Sequence, residues 1–230
     1  MRTIGILGGM GPEATVLLMH KVIAAVPATD DADHVPLLVD QNSQVPSRIA
    51  RLIEGTGADP VPVLVAMARR LEAAGAGALA MPCNTAHHYA DEIRAAVTIP
   101  FLDMVAASAR RARGIAGQGG RVGLLASPAV AQVGLFDRVL ADEGLEVLHP
   151  QDGAALLSAI RAIKAHGPDA AARATLRRAS EALLARGASV QLIACTEFSL
   201  IPDAVAPGVM ALDTLDVLVE EIVGFAHASA

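Results

Sequence analysis

Short apolar runs rich in Ile, Leu and Val alternate with amphipathic helical stretches along the whole chain, and this alternation limits the fold more than any other feature. Strands are expected near residues 3–7, 36–40, 78–82, 99–102, 121–126, 146–149, 190–194 and 209–212. Helix patterns lie between most of them. One covers 60–74, with Asp59 as N-cap and Gly75 as stop; another covers 168–186 and is closed by Gly187. Strands this short and continuously apolar leave no face for water, so they belong in a parallel sheet covered by helices on both sides. Ligands in such sheets sit beyond the carboxyl ends of the strands. The expected class is α/β.

The plan occurs twice. "LEAAGAGALAMPCNT" (71–85) and "LLARGASVQLIACTE" (183–197) each run from a helix end through a stopping glycine and an apolar strand to a cysteine. Gly75 and Gly187 each stand eight residues before that cysteine. "TIGILGG" and "RVGLLAS" correspond in the same way, each preceding a long helix. Internal self-similarity of this kind is read as a duplication. The boundaries expected from it are a first α/β subdomain over 1–103 and a second over 104–211, with a final helix over 212–228. The glycine-rich stretch 112–121 between the repeats is the most linker-like part of the chain.

Composition removes several classes of function. The chain has 230 residues, enough for one large or two small domains with a real core. Its net charge is −6, with no basic cluster and only 2% aromatic residues, which argues against nucleic acid as a partner. No apolar run approaches the ~18 residues needed to span a bilayer, and the opening run at 4–7 is too short for a signal-peptide core. A cytoplasmic protein without a membrane partner is the expectation.

Cys83 and Cys195 are the only cysteines, and the repeat gives them equivalent places at a strand's carboxyl end before a helix start. A thiol at a helix N-terminus is expected to have a lowered pKa and a reactive thiolate. Free cysteines are also common as small buried hydrophobes, but that leaves the repeated rim position unexplained. No further thiol exists to complete a metal site, and no metal is expected. If the halves face each other, a small carbon acid between the thiols can lose its α-proton to one and be reprotonated by the other on the opposite face. A nucleophilic cysteine would need only one of them. Arg48, in "QNSQVPSR", and Lys164, in "AIRAIKAHG", form a second pair with about the same offset, and one cation per half suits the carboxylates of a dianionic substrate.

The opening "ILGGMGPEAT" fits the G-x-G-x-x-A pattern of a dinucleotide-binding turn. Pro12 removes one of the backbone donors such a turn uses, Asp40 lies too far from Gly11, and Asp30 and Asp31 fall in a polar loop before the strand. On the preferred reading the glycines let the backbone approach a small substrate, and the loop's N–H groups receive a carboxylate. Lys164 has no glycine-rich phosphate loop beside it, which argues against pyridoxal phosphate. No cofactor is expected. His87 and His88 are adjacent and cannot chelate one metal together from a regular helix; a structural role is expected for His87.

"GILGGMGPEAT", "MPCNTAH" and "ACTEFSL", with "QNSQVPSR" and "IRAIKAHG" between them, resemble in order and position the motifs of the cofactor-independent aspartate/glutamate racemases, aspartate racemase branch. The resemblance runs over essentially the whole chain. It implies two pseudo-symmetric α/β subdomains with an active-site cleft between them, the last helix returning to the first, and a homodimer. It implies Cys83 and Cys195 as catalytic acid/bases and Arg48 and Lys164 as substrate-binding cations. Asn84, Thr85, Thr196 and Ser127 would hydrogen-bond the α-carboxylate, and Met10 would line the substrate. Glu197, also assigned to substrate binding, stands where cell-wall glutamate racemases generally carry histidine. Ser127-Pro128 and Ser43 depart from the family's usual residues and bear on substrate choice. Aspartate racemisation is the expected activity. Glutamate racemisation, maleate cis–trans isomerisation, a silent dicarboxylate binder and a nucleotide-binding module are its rivals.

Overall fold

In a computed structural model, residues 1–228 are described. They form two units, one of residues 1–104 with the C-terminal segment from 215, the other of residues 105–214. The first contains β1 (Ile4–Gly8), α1 (Pro12–Ala24), β2 (Leu37–Gln41), α2 (Val61–Ala73), β3 (Ala78–Ala80), α3 (Ala90–Ala96) and β4 (Phe101–Leu102). α4 (Met104–Ala116) leads into the second, with β5 (Arg121–Ala126), α5 (Pro128–Gln132), α6 (Leu135–Asp142), β6 (Glu146–Leu148), α7 (Gly153–His166), α8 (Ala170–Ala185), β7 (Val190–Ala194) and β8 (Ala211–Asp213). α9 (Thr214–His227) follows β8.

Each unit holds a four-stranded sheet whose pairings are all parallel, ordered β2-β1-β3-β4 in the first and β6-β5-β7-β8 in the second. The identical order is the structural form of the sequence repeat. Every expected strand is present, with ends within two residues of expectation. β3 stops at Ala80 because Cys83 N–H turns back to the Met81 carbonyl at 2.8 Å. The central strands β1, β3 and β7 are wholly buried and β5 is buried from Val122 onward, as continuously apolar strands require. In the first unit, α1 and α9 cover one face through Leu18, Val22, Leu215, Leu218 and Ile222. α2 and α3 supply Leu64, Met67, Leu71 and Ile93 to a separate cluster with Leu79. No helix among the described residues is long and apolar enough to cross a membrane.

The repeated glycine explains itself here. α2 buries Leu64, Met67, Ala68 and Leu71 on one stripe and ends with Gly75 at φ +95°. Gly75 N–H bonds the Glu72 carbonyl at 2.9 Å and Ala76 N–H reaches back to Leu71 at 3.0 Å, the two bonds of a Schellman stop. α8 ends in the same way: Gly187, at φ +86°, bonds Leu184 at 2.9 Å and Ala188 bonds Leu183 at 3.1 Å. The turn also packs on the neighbouring strand. A Cβ on Gly5 of β1 would lie 2.9 Å from the Ala76 Cβ and 2.9 Å from Leu79, and one on Gly123 of β5 would lie 3.2 Å from the Ala188 Cβ and 3.1 Å from Leu183. Glycine at each strand lets the helix end sit directly on the backbone. Gly5→Ala should therefore cost about 1–3 kcal/mol by overpacking, and Gly123→Ala less, in urea unfolding of the two variants.

Candidate active site

In a doubly wound sheet, ligands bind where successive crossovers leave to opposite sides. In the order β2-β1-β3-β4 that point lies at the carboxyl ends of β1 and β3; in the second sheet it lies at those of β5 and β7. Met10 follows β1, Cys83 follows β3, Ser127 follows β5 and Cys195 follows β7. Both thiols are free, 6% and 7% exposed. Of the other site residues expected from sequence, Asn84 and Thr85 follow Cys83, Thr196 and Glu197 follow Cys195, Arg48 lies in the loop after β2 and Lys164 lies on α7.

On the first rim, Met10, Val45, Cys83 and Tyr89 share one apolar cluster. The loop that begins at Val45 carries Arg48, whose Nη1 donates to the carbonyls of Val45 at 3.3 Å and Pro46 at 2.9 Å. Its Nε is buried without a hydrogen-bond partner among the described residues. A buried donor left unmade costs roughly 1–3 kcal/mol, so this edge of the fork is suited to an incoming acceptor. Asn84 is buried and its carbonyl accepts from His87 N–H at 3.0 Å; Thr85 opens a 3₁₀ turn, Thr85–Tyr89.

His87, four residues after the cysteine, is the brace that fixes this rim. Its Nδ1 lies 2.9 Å from the Cys83 carbonyl, and its Nε2 accepts from Met104 N–H at 3.2 Å. Only the neutral tautomer with the proton on Nδ1 satisfies both contacts. Burial holds its pKa below the ordinary 6.5, with Asp103 opposing. The structural role expected from sequence is the one the contacts describe, and the i, i+4 spacing from the cysteine was its only signal.

The opening loop differs from expectation. Gly9 has φ +88°, and a Cβ there would lie 2.4 Å from the backbone of Asn42. The Gly9 N–H donates to Thr15 Oγ1 at 2.9 Å, and that hydroxyl donates to the Gly11 carbonyl at 3.3 Å. The glycine serves the approach of one chain segment to another, and this N–H is committed to Thr15 instead of being offered to a carboxylate. The acids that a dinucleotide would use are also engaged. Asp40 pairs with Arg70 at 2.6 Å, and Asp30 caps the short turn Asp31–Asp33.

On the second rim, Ser127 caps α5, its Oγ accepting from Ala129 N–H at 3.3 Å. Thr196 is buried. Lys164, near the end of α7, forms an ion pair with Glu197 Oε1, and the other oxygen of Glu197 accepts the Cys195 S–H at 3.0 Å. The lowered thiol pKa expected for Cys195 is not what the structure holds. The following helix is a single 3₁₀ turn, Phe198–Leu200, and the amides of Phe198 and Ser199 donate to the Cys195 carbonyl at 2.8 and 3.3 Å, not to the sulfur. Burial first, then the Glu197 carboxylate, push the Cys195 thiol well up, and Lys164 only partly opposes them. Among the described residues no cluster of three His, Cys, Asp or Glu side chains is placed to hold a metal ion.

Because His87 is buried neutral while an unfolded histidine protonates near 6.5, its contribution to stability is full above that pH and declines as pH falls toward the lower folded-state value. Wild type should lose up to about 1.4 kcal/mol per pH unit in that window from this group alone. His87→Ala should be less stable at pH 8 and should show a shallower acid dependence, measured by urea titration across pH.

The family profile of Asp/Glu/hydantoin racemases matches residues 7–222. In sequence the chain is 27% identical over 216 residues to the broad specificity amino-acid racemase RacX of Bacillus subtilis (strain 168), covering 92% of each. In structure it resembles an aspartate racemase of Picrophilus torridus with a TM-score of 0.85 at 26% identity, over 98% of this chain and 94% of that one. It also resembles the glutamate racemase isoform RacE1 of Bacillus anthracis, with a TM-score of 0.69 at 17% identity over 98% and 80%, a likeness of fold alone. With two like-ordered parallel sheets, a cysteine at the switch point of each and a family match spanning nearly its whole length, the chain belongs to the Asp/Glu/hydantoin racemase family.

Proposed function

We propose that the protein racemises an acidic amino acid, aspartate foremost, without a cofactor, by proton exchange between Cys83 and Cys195. The observation that carries this is the placement of the chain's only two thiols at the carboxyl ends of β3 and β7, the ligand-binding switch point of each sheet. Two-base exchange requires both sulfurs to reach one Cα from opposite faces. One thiolate removes the α-proton, the electron pair stays on the carbanion, and the other thiol delivers its proton to the far face. Asn84, Thr85, Ser127 and Thr196 would donate hydrogen bonds to the α-carboxylate. The buried, unpartnered Nε of Arg48 would take the side-chain carboxylate, and Met10 would pack against the substrate's carbon chain.

A wider substrate range is the second reading. The likeness to RacX supports it, and so does the ion pair that neutralises much of the Lys164 charge, which leaves Arg48 as the stronger carboxylate anchor. Glutamate turnover falls within either reading. A homodimer in the cytoplasm is the proposed setting.

The deciding experiment is a panel of L-amino acids incubated in heavy water, read by chiral chromatography and α-deuterium content. Aspartate should racemise fastest, with deuterium at Cα of the inverted product. Cys83→Ala and Cys195→Ala should each lose at least about a hundredfold in rate, the usual scale of a positioned acid or base. Wild-type rates in either variant would remove the two-base mechanism. Arg48→Ala should raise KM for aspartate about tenfold or more and leave turnover of a neutral amino acid such as alanine unaffected, as expected for loss of a charge-assisted bidentate contact.

A further inference from the structure

The duplicated rims are not chemically equal. Cys83 is followed by Asn84 and Thr85, Cys195 by Thr196 and Glu197, so the position two residues after the thiol is uncharged in one half and a carboxylate in the other. Glu197 is 8% exposed, and both its oxygens are engaged: one accepts the Cys195 S–H at 3.0 Å and the other receives Lys164. A residue held this way on both sides acts on the thiol rather than on a substrate.

We propose that Glu197 is a positioning residue that makes the two thiols unequal, retaining the proton on Cys195 so that Cys83 is the base of the resting enzyme. This assignment rests on the two-base reading and replaces the substrate-binding role expected for Glu197. The charged groups that face the Cys195 sulfur are Glu197 from its own loop and Lys164 from α7. Cys195 also belongs to a buried hydrophobic cluster with Ile160 and Ile163 of α7, Leu176 of α8, Ile193 of β7 and Phe198. An anion beside a thiol opposes its ionisation, and an apolar surround strengthens that opposition. Lys164 limits the effect, so the proton is retained at rest yet can be given up to a carbanion.

The proton count closes over one turnover. The Cα–H bond breaks and its proton goes to the Cys83 thiolate, while the Cys195 S–H bond breaks and its proton goes to the opposite face of Cα. Cys195 is left as a thiolate beside the Glu197–Lys164 pair and Cys83 as a thiol. The resting state returns when solvent takes a proton from Cys83 and gives one to Cys195. Glu197 neither gains nor loses a proton.

The test is iodoacetamide labelling across pH, with each cysteine followed separately by peptide mass spectrometry. In wild type Cys83 should reach half-maximal labelling at lower pH than Cys195. In Glu197→Gln the Cys195 midpoint should fall, and its labelling at neutral pH should rise about tenfold, because the carboxylate that opposes its ionisation is gone. Lys164→Met should move it the other way by several-fold. A merely structural role would not give opposite signs for the two variants. kcat/KM should nevertheless fall in Glu197→Gln, by the same factor for both enantiomers because the equilibrium constant is one, since a thiol ionised at rest has no proton to deliver. If Glu197→Gln does not fold, Lys164→Met carries the test alone. Labelling of Cys195 unmoved in the folded variants, or Cys195 labelling before Cys83 in wild type, overturns the assignment while racemisation by wild type stands. Absence of α-proton exchange with every amino acid ends the two-base reading itself, whatever the labelling order.

Discussion

Parallel strands cannot be joined by a tight hairpin, so each return crosses the sheet through a helix, and where successive crossovers go to opposite sides the loops at the carboxyl ends part. In this chain β1 and β3 make that point in one sheet and β5 and β7 make it in the other. The parallel register fixes what stands there. Ala126 pairs with Ala194, so Ser127 and Cys195 emerge side by side; Ile6 pairs with Ala80, so the Gly9–Met10 turn and Cys83 emerge in the same relation. The thiols are placed by backbone hydrogen bonds buried deep in each unit, which is why residues on these loops can differ between the halves without moving the sulfur.

Support behind each thiol takes a different chemical form. At Cys83 the brace is a neutral imidazole that ties the cysteine's carbonyl to the start of α4 through Met104. It carries no charge while buried, so it orders the loop without placing a charge beside the thiol. At Cys195 the neighbour is a carboxylate held by an ammonium. A buried carboxylate left without a partner would be strongly penalised, and at 8% exposure Glu197 has that partner in the Lys164 ammonium. Lys164 thereby has a structural reason to be a lysine that is independent of any substrate.

Much of this was legible in sequence, and the boundary of legibility is physical. The strands could be read because both faces of a parallel sheet are buried, and a continuous Ile-Leu-Val run has few other places to go. Gly75 and Gly187 could be read because a helix stop needs the left-handed region. The cysteines could be read from their repeated offset. What could not be read were the partners of side chains. The letters around Glu197 do not say which side chains it meets, and the 3.0 Å contact with the Cys195 thiol is visible only in the structure. The opening glycines misled for a related reason: a pattern that permits close backbone approach does not say what approaches, and at Gly9 it is the Asn42 main chain. The segments after both cysteines are 3₁₀ turns where regular helices are expected, and at Cys195 the amides close on its carbonyl instead of reaching the sulfur.

Duplication gives two copies of one geometry, but a stereochemical inversion does not want two copies of one chemistry. In the proposed two-base exchange one thiol holds a proton while the other lacks it, and a symmetric pair would spend part of its time with both protonated or both ionised, neither of which could turn over. On that proposal a single fixed charge beside one sulfur would favour one of the two singly protonated states. The scaffold tolerates the change because the backbone plan that places Thr85 also places Glu197, each two residues beyond its cysteine and each leading into a short turn. Packing between Gly5 and Ala76 and between Gly123 and Ala188 stays alike in the two halves, whereas the residues just past the strand ends diverge. The fold is conserved between the halves where steric contact leaves no choice, and the chemistry differs where only electrostatics decides.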